Sequence, residues 1–470
     1  MNLSLLFVHS TWVSVALGIL FPTLASAATP PKPQNSSNSV QVPDYLNPNP
    51  NPLQFPTKPE EVRIQGTVPI SLAQALELAQ RNNRDLQVAI LQLERSRSSV
   101  RASQAALFPT LGINSSVTNS GNGFTNNSSQ ASTSFNGSAQ LNYDVYTSGN
   151  RQATIQAAEE QLRVDEFNVE SQSLTIKLNA TTQYYDLQQA DEQVRINRSA
   201  VENAQASLRD TQAREQAGVG TRFDVLQAQV NLANAQQQLT NAISQQQISR
   251  RQLATLLSLS QSVDISAADP VQLAGLWEQT VEQSIVQAFK NRPELPQFLA
   301  QRNIAEQQRR QALSQLGPQI SLAASYNLLD RYNDGVSITD GYSVGLQGNL
   351  TLFDGGAAKA KAAQSRADIA IAETKFASQR DQIRFNVEQF YSQLQSNLKN
   401  VQTAGVALNQ AREALNLARL RFQAGVGTQT EVIAAENDLT TAEGNRVTAI
   451  LDYNRALANL QTLVTSRASR

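Results

Sequence analysis

The sequence contains no cysteine, one histidine and one methionine, and both His9 and Met1 lie in its first ten residues. That segment reads as a removable leader, so the mature chain is expected to lack all three residue types. Their absence excludes disulfides, Cys/His metal sites, Ser-His and Cys-His nucleophilic systems and c-type haem attachment. No cofactor and no metal are expected, and with no cysteine behind the leader there is no site for an N-terminal lipid anchor. Charge is also scarce, at 16% of residues and a net of -1, which disfavours a nucleic-acid binder that relies on bulk positive charge. After residue 28 no run of about 18 apolar residues occurs, so a mature transmembrane helix is not expected and any membrane insertion has to use strands.

Residues 1–28 are expected to be a signal peptide: a broken apolar stretch ends in Ala25-Ser26-Ala27, the small-x-small pattern of a cleavage site, although no Lys or Arg precedes it. Ten of the 16 prolines fall between Pro30 and Pro69, among Asn, Ser and Gln, so 29–69 reads as an extended or disordered segment.

From residue 70 the chain duplicates itself. Gly218-Val219-Gly220-Thr221 returns as Gly425-Val426-Gly427-Thr428 at an offset of 207, which Tyr184/Tyr391, Leu187/Leu394, Asp224/Glu431 and Leu232/Leu439 share. Asn82/Asn291, Leu86/Leu295 and Pro109/Pro318 keep an offset of 209. Two homologous repeats, 70–260 and 280–465, are the economical explanation, with 261–279 as linker and 466–470 as tail.

Each repeat has the same order of elements. A helix, expected over about 71–106 and 280–315, stops at a proline. Two segments of period two follow, the second carrying Phe135, Gly137, Ala139, Leu141, Tyr143 and Val145, or Tyr342, Val344, Leu346, Gly348, Leu350 and Leu352. That period marks strands with one apolar face. The Asn/Ser/Gly-rich stretches 119–134 and 329–341 between the strands are long enough for exposed loops.

A very long helix comes next, because no Gly or Pro interrupts the chain between Gly149 and Gly218. Its apolar residues keep a heptad through Ile155, Leu162, Val169 and Ile176, jump eleven to Leu187, and resume at Val194, Val201 and Leu208. The second repeat makes the same jump between Ile383 and Leu394, within Ile369, Phe376, Ile383, Leu394, Val401, Leu408, Leu415 and Phe422. An insertion of four locally unwinds a left-handed supercoil, so the helix is expected to coil at both ends and run straighter between them. After the Gly-rich turn a returning helix repeats Val225, Leu232, Leu239 and Leu253, or Val432, Leu439, Tyr453 and Leu460. Each repeat therefore closes in an antiparallel helical hairpin.

Four strands cannot close a barrel, so copies of the chain have to combine: two give eight strands and a filled interior, three give twelve and a lumen. At this level the chain resembles the outer membrane efflux protein family of TolC-like channels, over about 70–465. The resemblance is carried by Ala217-Gly-Val-Gly-Thr-Arg-Phe-Asp-Val-Leu-Gln-Ala-Gln229, by Ala424-Gly-Val-Gly-Thr-Gln-Thr-Glu-Val-Ile-Ala-Ala-Glu436, by Leu107-Phe-Pro-Thr-Leu111 and by Leu350-Thr-Leu-Phe-Asp-Gly-Gly356. It implies a mainly α fold with membrane β structure: a homotrimer whose twelve-stranded β-barrel in outer-membrane lipid continues as a periplasmic α-helical barrel. It further implies a channel for multidrug efflux or type I protein secretion, partnered by a periplasmic adaptor protein and an inner-membrane transporter, with no nucleic acid and no enzyme activity.

On that resemblance, Gly218, Val219, Gly220 and Thr221 with Gly425, Val426, Gly427 and Thr428 are adaptor-docking tips; a simple helix-ending turn is the other reading of the same residues. Asp224 and Glu431, six residues after Gly218 and Gly425, are candidates for an entrance constriction, where rings of carboxylates attract cations and repel one another. They are equally placed as favourable charge in a first helical turn. The family pattern has a second acid where this chain has Ala434, a constriction tyrosine at Phe422 and an arginine at Gly427, which leaves Arg222 and Gln429 as substitute partners. A periplasmic coiled-coil scaffold without a pore would also explain the heptads, but it leaves the paired strands without a use. The pairs Tyr184-Tyr185 and Glu159-Glu160 read as packing and as a solvated helical face before they read as catalytic groups.

Overall fold

The computed structural model describes residues 46–48, 51, 53–64, 66–121, 132–260, 262–332 and 336–465. The expected signal peptide 1–28, much of 29–69 and the tail 466–470 lie outside the described residues. In chain order the elements are β1 (Gly66–Ile70), α1 (Leu72–Asn82), α2 (Arg84–Gln104), β2 (Thr110–Ser120), β3 (Ser132–Tyr146), α3 (Asn150–Gln216), α4 (Arg222–Leu256) and β4 (Val263–Ala267). The order then repeats with α5 (Val281–Asn291), α6 (Glu294–Ser314), β5 (Gln319–Tyr332), β6 (Thr339–Asn349), α7 (Ala357–Gln423) and α8 (Gln429–Val464). Among the described residues no helix is long and apolar enough to cross a membrane.

Helix starts repeat as closely as the helices do. Capping boxes open α1 (Ser71 with Gln74), α5 (Thr280 with Gln283), α4 (Thr221 with Asp224) and α8 (Thr428 with Glu431). In each, the cap hydroxyl and the third helical side chain satisfy one another's backbone donors. Both α3 and α7 are 67 residues long, about 100 Å at 1.5 Å per residue, and both start after a glycine with φ near +90° (Gly149 at 87°, Gly356 at 88°). Asp354 fixes the start of α7: its carboxylate accepts from the Gly356 and Ala358 amides at 2.9 and 2.6 Å, and those bonds hold its pKa below the ordinary value. Every residue of the two heptad stripes, on both sides of the jump of eleven, is buried or half-buried.

The strands form an antiparallel sheet in the order β2-β3-β5-β6. Its register places Leu111 opposite Leu141, Leu141 opposite Ala324 and Ala324 opposite Val344, so most apolar residues of the four strands share one face. The helices lie side by side: α2, α3, α6 and α7 pack in sequence next to the sheet, and α4, α3, α8 and α7 along the hairpins. Thus α3 has helical neighbours on both sides, whereas α4 and α7 each keep one open flank. Phe223, Leu226 and Val230 are exposed on α4, and Phe385, Val406, Leu417 and Leu420 on α7.

Four expectations need correction. The helix expected over 71–106 is two helices, because Asn83 breaks it with ψ of 127°. Its side chain caps α2 by accepting from the Asp85 and Leu86 amides, and its amide donates to the Leu256 carbonyl at 2.9 Å. In the second repeat the break falls after Asn291, whose amide likewise donates to the end of the returning helix, at Val464 O, 2.7 Å. The loops are shorter than expected, since the strands run to Ser120 and from Ser132, and to Tyr332 and from Thr339. Leu350 and Leu352 lie beyond β6, which ends at Asn349. Finally, 29–69 and 261–279 are not merely connecting chain: β1 and β4 pair in parallel, Gly66 opposite Val263, and Leu46 is 1% exposed in a core with Ile70, Leu78, Leu187, Leu257 and Ile265.

Tyr184 ties that core together. Its hydroxyl lies 3.0 Å from Ile70 O and 2.8 Å from Asp269 Oδ2, and it accepts from the Asp269 amide at 3.2 Å. The same carboxylate accepts from the Leu72 amide at 2.7 Å, joining β1, α1 and α3. Burial drives the Tyr184 pKa well above its ordinary value, so the hydroxyl stays a donor. Replacing Tyr184 by Phe strands buried acceptors and is expected to cost about 1–3 kcal/mol. Thermal unfolding of detergent-solubilised protein by circular dichroism checks this, with Tyr391→Phe, at the half-buried repeat position, expected to shift the midpoint less.

Candidate functional site at the hairpin tips

The two tips are built alike. Helix α3 ends at Gln216 with Ala217 as its C-cap, and Gly218 turns the chain with φ of 74°, a conformation that costs an L side chain about 1–2 kcal/mol. The amides of Val219 and Gly220 both donate to Arg214 O at 3.0 Å, closing the helix end. A Cβ added to Gly220 would stand 2.9 Å from Arg214 Cβ and 3.0 Å from Glu215 N. The second tip repeats each feature: Gly425 at φ of 72°, Val426 and Gly427 donating to Arg421 O, and Gly427 so placed that a Cβ would stand 3.0 Å from both Arg421 Cβ and Phe422 N. The first glycine of each GVGT is thus required by φ and the second by close approach. Val219 and Val426 stand 73% and 69% exposed at the apex, with Phe223 at 70% beside the first.

Asp224 and Glu431 occupy equivalent cap positions. Asp224 Oδ2 accepts from the Thr221 amide at 3.2 Å and hydroxyl at 2.6 Å. Glu431 Oε2 accepts from the Thr428 amide at 3.4 Å and lies 4.0 Å from Arg421 Nη2. Arg222 pairs with Glu215 of its own hairpin at 3.7 Å. Gln429 faces inward: it is 1% exposed and donates to Ser207 Oγ of α3 at 2.6 Å, while its Oε1 has no partner among the described residues. Phe422 lies under the Arg214 guanidinium, 4.4 Å from its ring centre, and Arg214 also donates to Gln423 O at 3.2 Å. The structure therefore brings Phe422 and Gln429 into the seam between hairpins, and leaves Asp224, Glu431 and Arg222 on the outer ends of theirs.

Sequence reasoning missed the centre of that seam. Glu436 on α8 is 6% exposed; its Oε1 accepts from Arg419 Nη2 of α7 at 3.0 Å, and the same nitrogen donates to Asn203 Oδ1 of α3 at 2.9 Å. Glu436 Oε2 has no partner among the described residues. The signal was available: Glu436 falls between Val432 and Leu439 on the core-facing side of the heptad, where a carboxylate is out of place. Burial raises its pKa above the ordinary 4.5, with Arg419 opposing and Asp210 of α3 reinforcing the shift.

Two predictions follow from this geometry. Gly427→Ala is expected to loosen the tip and speed proteolytic nicking there, whereas Gly444→Ala, whose Cβ meets nothing nearer than 3.8 Å, should leave the nicking rate unchanged. For Glu436 the sign is set by its raised pKa: its contribution to stability is full below 4.5 and is lost as pH rises through the higher folded value. Glu436→Gln should flatten the fall of unfolding midpoint with rising pH across that window, as measured by pH-resolved thermal denaturation.

Comparison with known proteins agrees with this architecture. The sequence profile described as "Outer membrane efflux protein" matches residues 75–258 and 284–466. The pyoverdine export outer membrane protein OpmQ of Pseudomonas aeruginosa is 24% identical over 379 residues, 78% of this chain and 79% of its own. The cobalt-zinc-cadmium resistance protein CzcC of Cupriavidus metallidurans is 24% identical over 407 residues, 85% of this chain and 91% of its own. Among solved structures, the outer membrane protein VceC of Vibrio cholerae superposes with a TM-score of 0.72 at 20% identity, covering 84% of this chain and 96% of its own. CusC superposes with a TM-score of 0.74 at 18% identity, covering 90% of this chain and 99% of its own. The chain belongs to the outer membrane efflux protein family, whose members are outer-membrane channel proteins with a periplasmic helical extension and not enzymes.

Proposed function

We propose that three copies of the chain assemble into a passive export conduit, a twelve-stranded barrel in the outer membrane continued by a periplasmic helical tunnel. The observation that carries this reading is the sheet: one face is largely apolar, and its two edges, β2 and β6, are 11-residue strands running in opposite directions whose outer sides have no strand partner among the described residues. In a bilayer such edges must be paired, and antiparallel joining of β6 to the next copy's β2 closes a ring. Three copies leave a lumen where two would fill it. The open flanks of α4 and α7, with their exposed apolar residues, continue the same seam into the helices.

Energy comes from an inner-membrane transporter reached through a periplasmic adaptor, and the exposed tips Gly218–Thr221 and Gly425–Thr428 are the docking surface. The unit of construction is the repeat, 70–260 and 280–465, with 261–279 between. Asp224 and Glu431, each present three times around the mouth, form the entrance constriction. The cargo is a drug-like compound for efflux or a polypeptide for type I secretion. Relatives named for pyoverdine export and for metal resistance stand at the same 24% identity, so the resemblance alone selects no cargo.

Single-channel recording in a planar bilayer tests the conduit. Discrete steps with a preference for cations are expected, and replacing both Asp224 and Glu431 by Ala should raise conductance and lower that preference. Folded protein that yields neither trimers on cross-linking nor conductance in the double variant would sink the proposal.

A further inference from the structure

Helix α3 packs on a surface of the second repeat, made by α6 and α8. Ser171 Oγ donates to Glu294 Oε1 of α6 at 3.2 Å, and Gln189 Nε2 donates to Thr448 Oγ1 of α8 at 3.2 Å. Arg455 of α8 closes the same seam by donating to Asp186 and Gln189 of α3, both at 2.7 Å. Helical spacing puts Phe167, Leu174, Leu178 and Tyr185 on the face of α3 that carries Ser171 and Gln189, and all four are buried or half-buried. The equivalent face of α7, at the offset of 207, is Thr374, Ser378, Asp381, Phe385, Ser392 and Ser396, and every one of these is exposed.

The surface that receives α3 also occurs twice. Glu294 returns in the first repeat as Asp85, Thr448 as Asn241 and Arg455 as Ile248, and again all three are exposed. Between the start of α2 and the end of α4 lies a hollow lined by Asp85, Ile248, Arg251, Gln252 and Thr255. It stands open at the place where, in the second repeat, the longer side chain of Arg455 reaches across to α3. Within one chain α7 cannot reach this hollow, because α3 and α8 stand between α7 and α4. A second copy can.

We infer that α7 of one copy docks between α2 and α4 of the next, with Phe385 seated in the hollow beside Ile248, Ser378 on Asp85 and Ser396 on Asn241. The inference rests on the three-copy reading above and deepens it by naming the contact that selects the partner surface. The changes on the two sides are matched: Leu178 has become Phe385 and Arg455 has become Ile248, so a larger knob meets a shorter wall. Phe167, Leu174 and Tyr185 have become Thr374, Asp381 and Ser392, which leaves Phe385 as the one large apolar anchor of that stripe. An aromatic seated in a pocket and ringed by polar contacts is the pattern that concentrates binding energy in one residue. The same exchange works against a wrong closure. With α7 laid on α6 and α8, Phe385 would meet the Arg455 side; with α3 laid on α2 and α4, Asp186 would lose its guanidinium. A seam unlike the internal one fixes the order in which repeats alternate around a closed ring.

The natural absence of cysteine allows a direct test on the full-length protein in native membranes. Two double variants, Ser378→Cys with Asp85→Cys and Ser396→Cys with Asn241→Cys, are oxidised mildly and separated by denaturing electrophoresis. Each is expected to give a ladder of covalent dimers and trimers, about tenfold or more above its single variants, because disulfides need Cα atoms within about 7 Å. Ser171→Cys with Glu294→Cys calibrates the oxidation, closing within one chain without a ladder. Ile371→Cys with Asp85→Cys stands one heptad, about 10 Å, out of place and is expected to give none. Phe385→Ala added to the 378/85 pair should cut the ladder about fivefold, the loss of an anchor worth about 1 kcal/mol. A ladder that Phe385→Ala leaves undiminished, or an equal one from the Ile371 pair, overturns the seating. So does the lack of a ladder from both designed pairs in protein that an amine-reactive cross-linker still captures as trimers. Capture of no trimers at all overturns the three-copy reading, and the inference with it.

Discussion

A β-strand at the edge of a sheet carries unpaired amide and carbonyl groups, and in hydrocarbon each of those groups costs several kcal/mol. This chain presents two such edges on a sheet of only four strands, and much of the architecture is arranged around that constraint. The edges run antiparallel and are equally long, so copies of one sheet can continue one another without a change of direction. The helices beyond the sheet preserve the same order, with α7 leaving beside β6 and α2 arriving beside β2, so a seam begun between strands extends along the helical walls. The repeat makes this possible: two strand pairs from one ancestor-like unit give an even number of strands with matched ends.

The repeats are alike in sequence and unlike in surroundings. Helix α3 lies between α4 and α8 and has packing on both sides, and its buried set includes Tyr184, Tyr185, Gln188 and Asn197. Helix α7 has its neighbours on one side only and keeps Ile371, Phe385 and Val406 exposed. The divergence at the tips follows from this. At the start of α8, Gln429 reaches α3 and Glu436 accepts from Arg419, which also donates to Asn203 of α3, whereas the matching residues of α4, Arg222 and Gln229, are exposed on an open flank. One hairpin has become the inner contact and the other the outer.

Periodicity made the long elements legible. The heptads, their shared jump of eleven, the alternation in the strands and the two GVGT turns locate α3, α4, α7, α8 and the sheet, because each is a local pattern whose burial follows from spacing. What periodicity could not reveal was long-range. Asn83 breaks a helix by bonding to Leu256, 173 residues away, and β1 pairs with β4, which lies beyond the far end of the repeat. Leu46 sits in a proline-rich stretch that by composition has no core, yet it belongs to a buried cluster drawn from both repeats, which also holds Leu451. At the tips, the GVGT glycines were readable because turn geometry is local. The Glu436 link was not, because its partner Arg419 comes from α7 and is shared with Asn203 of α3.

The equal length of α3 and α7 has a consequence for how such a protein can change. Both helices start at a left-handed glycine where the sheet ends, and both stop 67 residues later, so the two tips lie at one level. Seven residues added to each helix of one hairpin alone would keep its own stripes in register and yet raise one tip by about 10 Å above the other, parting Arg214 from Phe422 and Gln429 from Ser207. A viable change of length has to enter both repeats together, and in each case as a pair of heptads, one descending and one returning. Length in this architecture is therefore inherited in quanta, which makes the reach of the tips a slowly varying trait even where the rest of the sequence drifts freely.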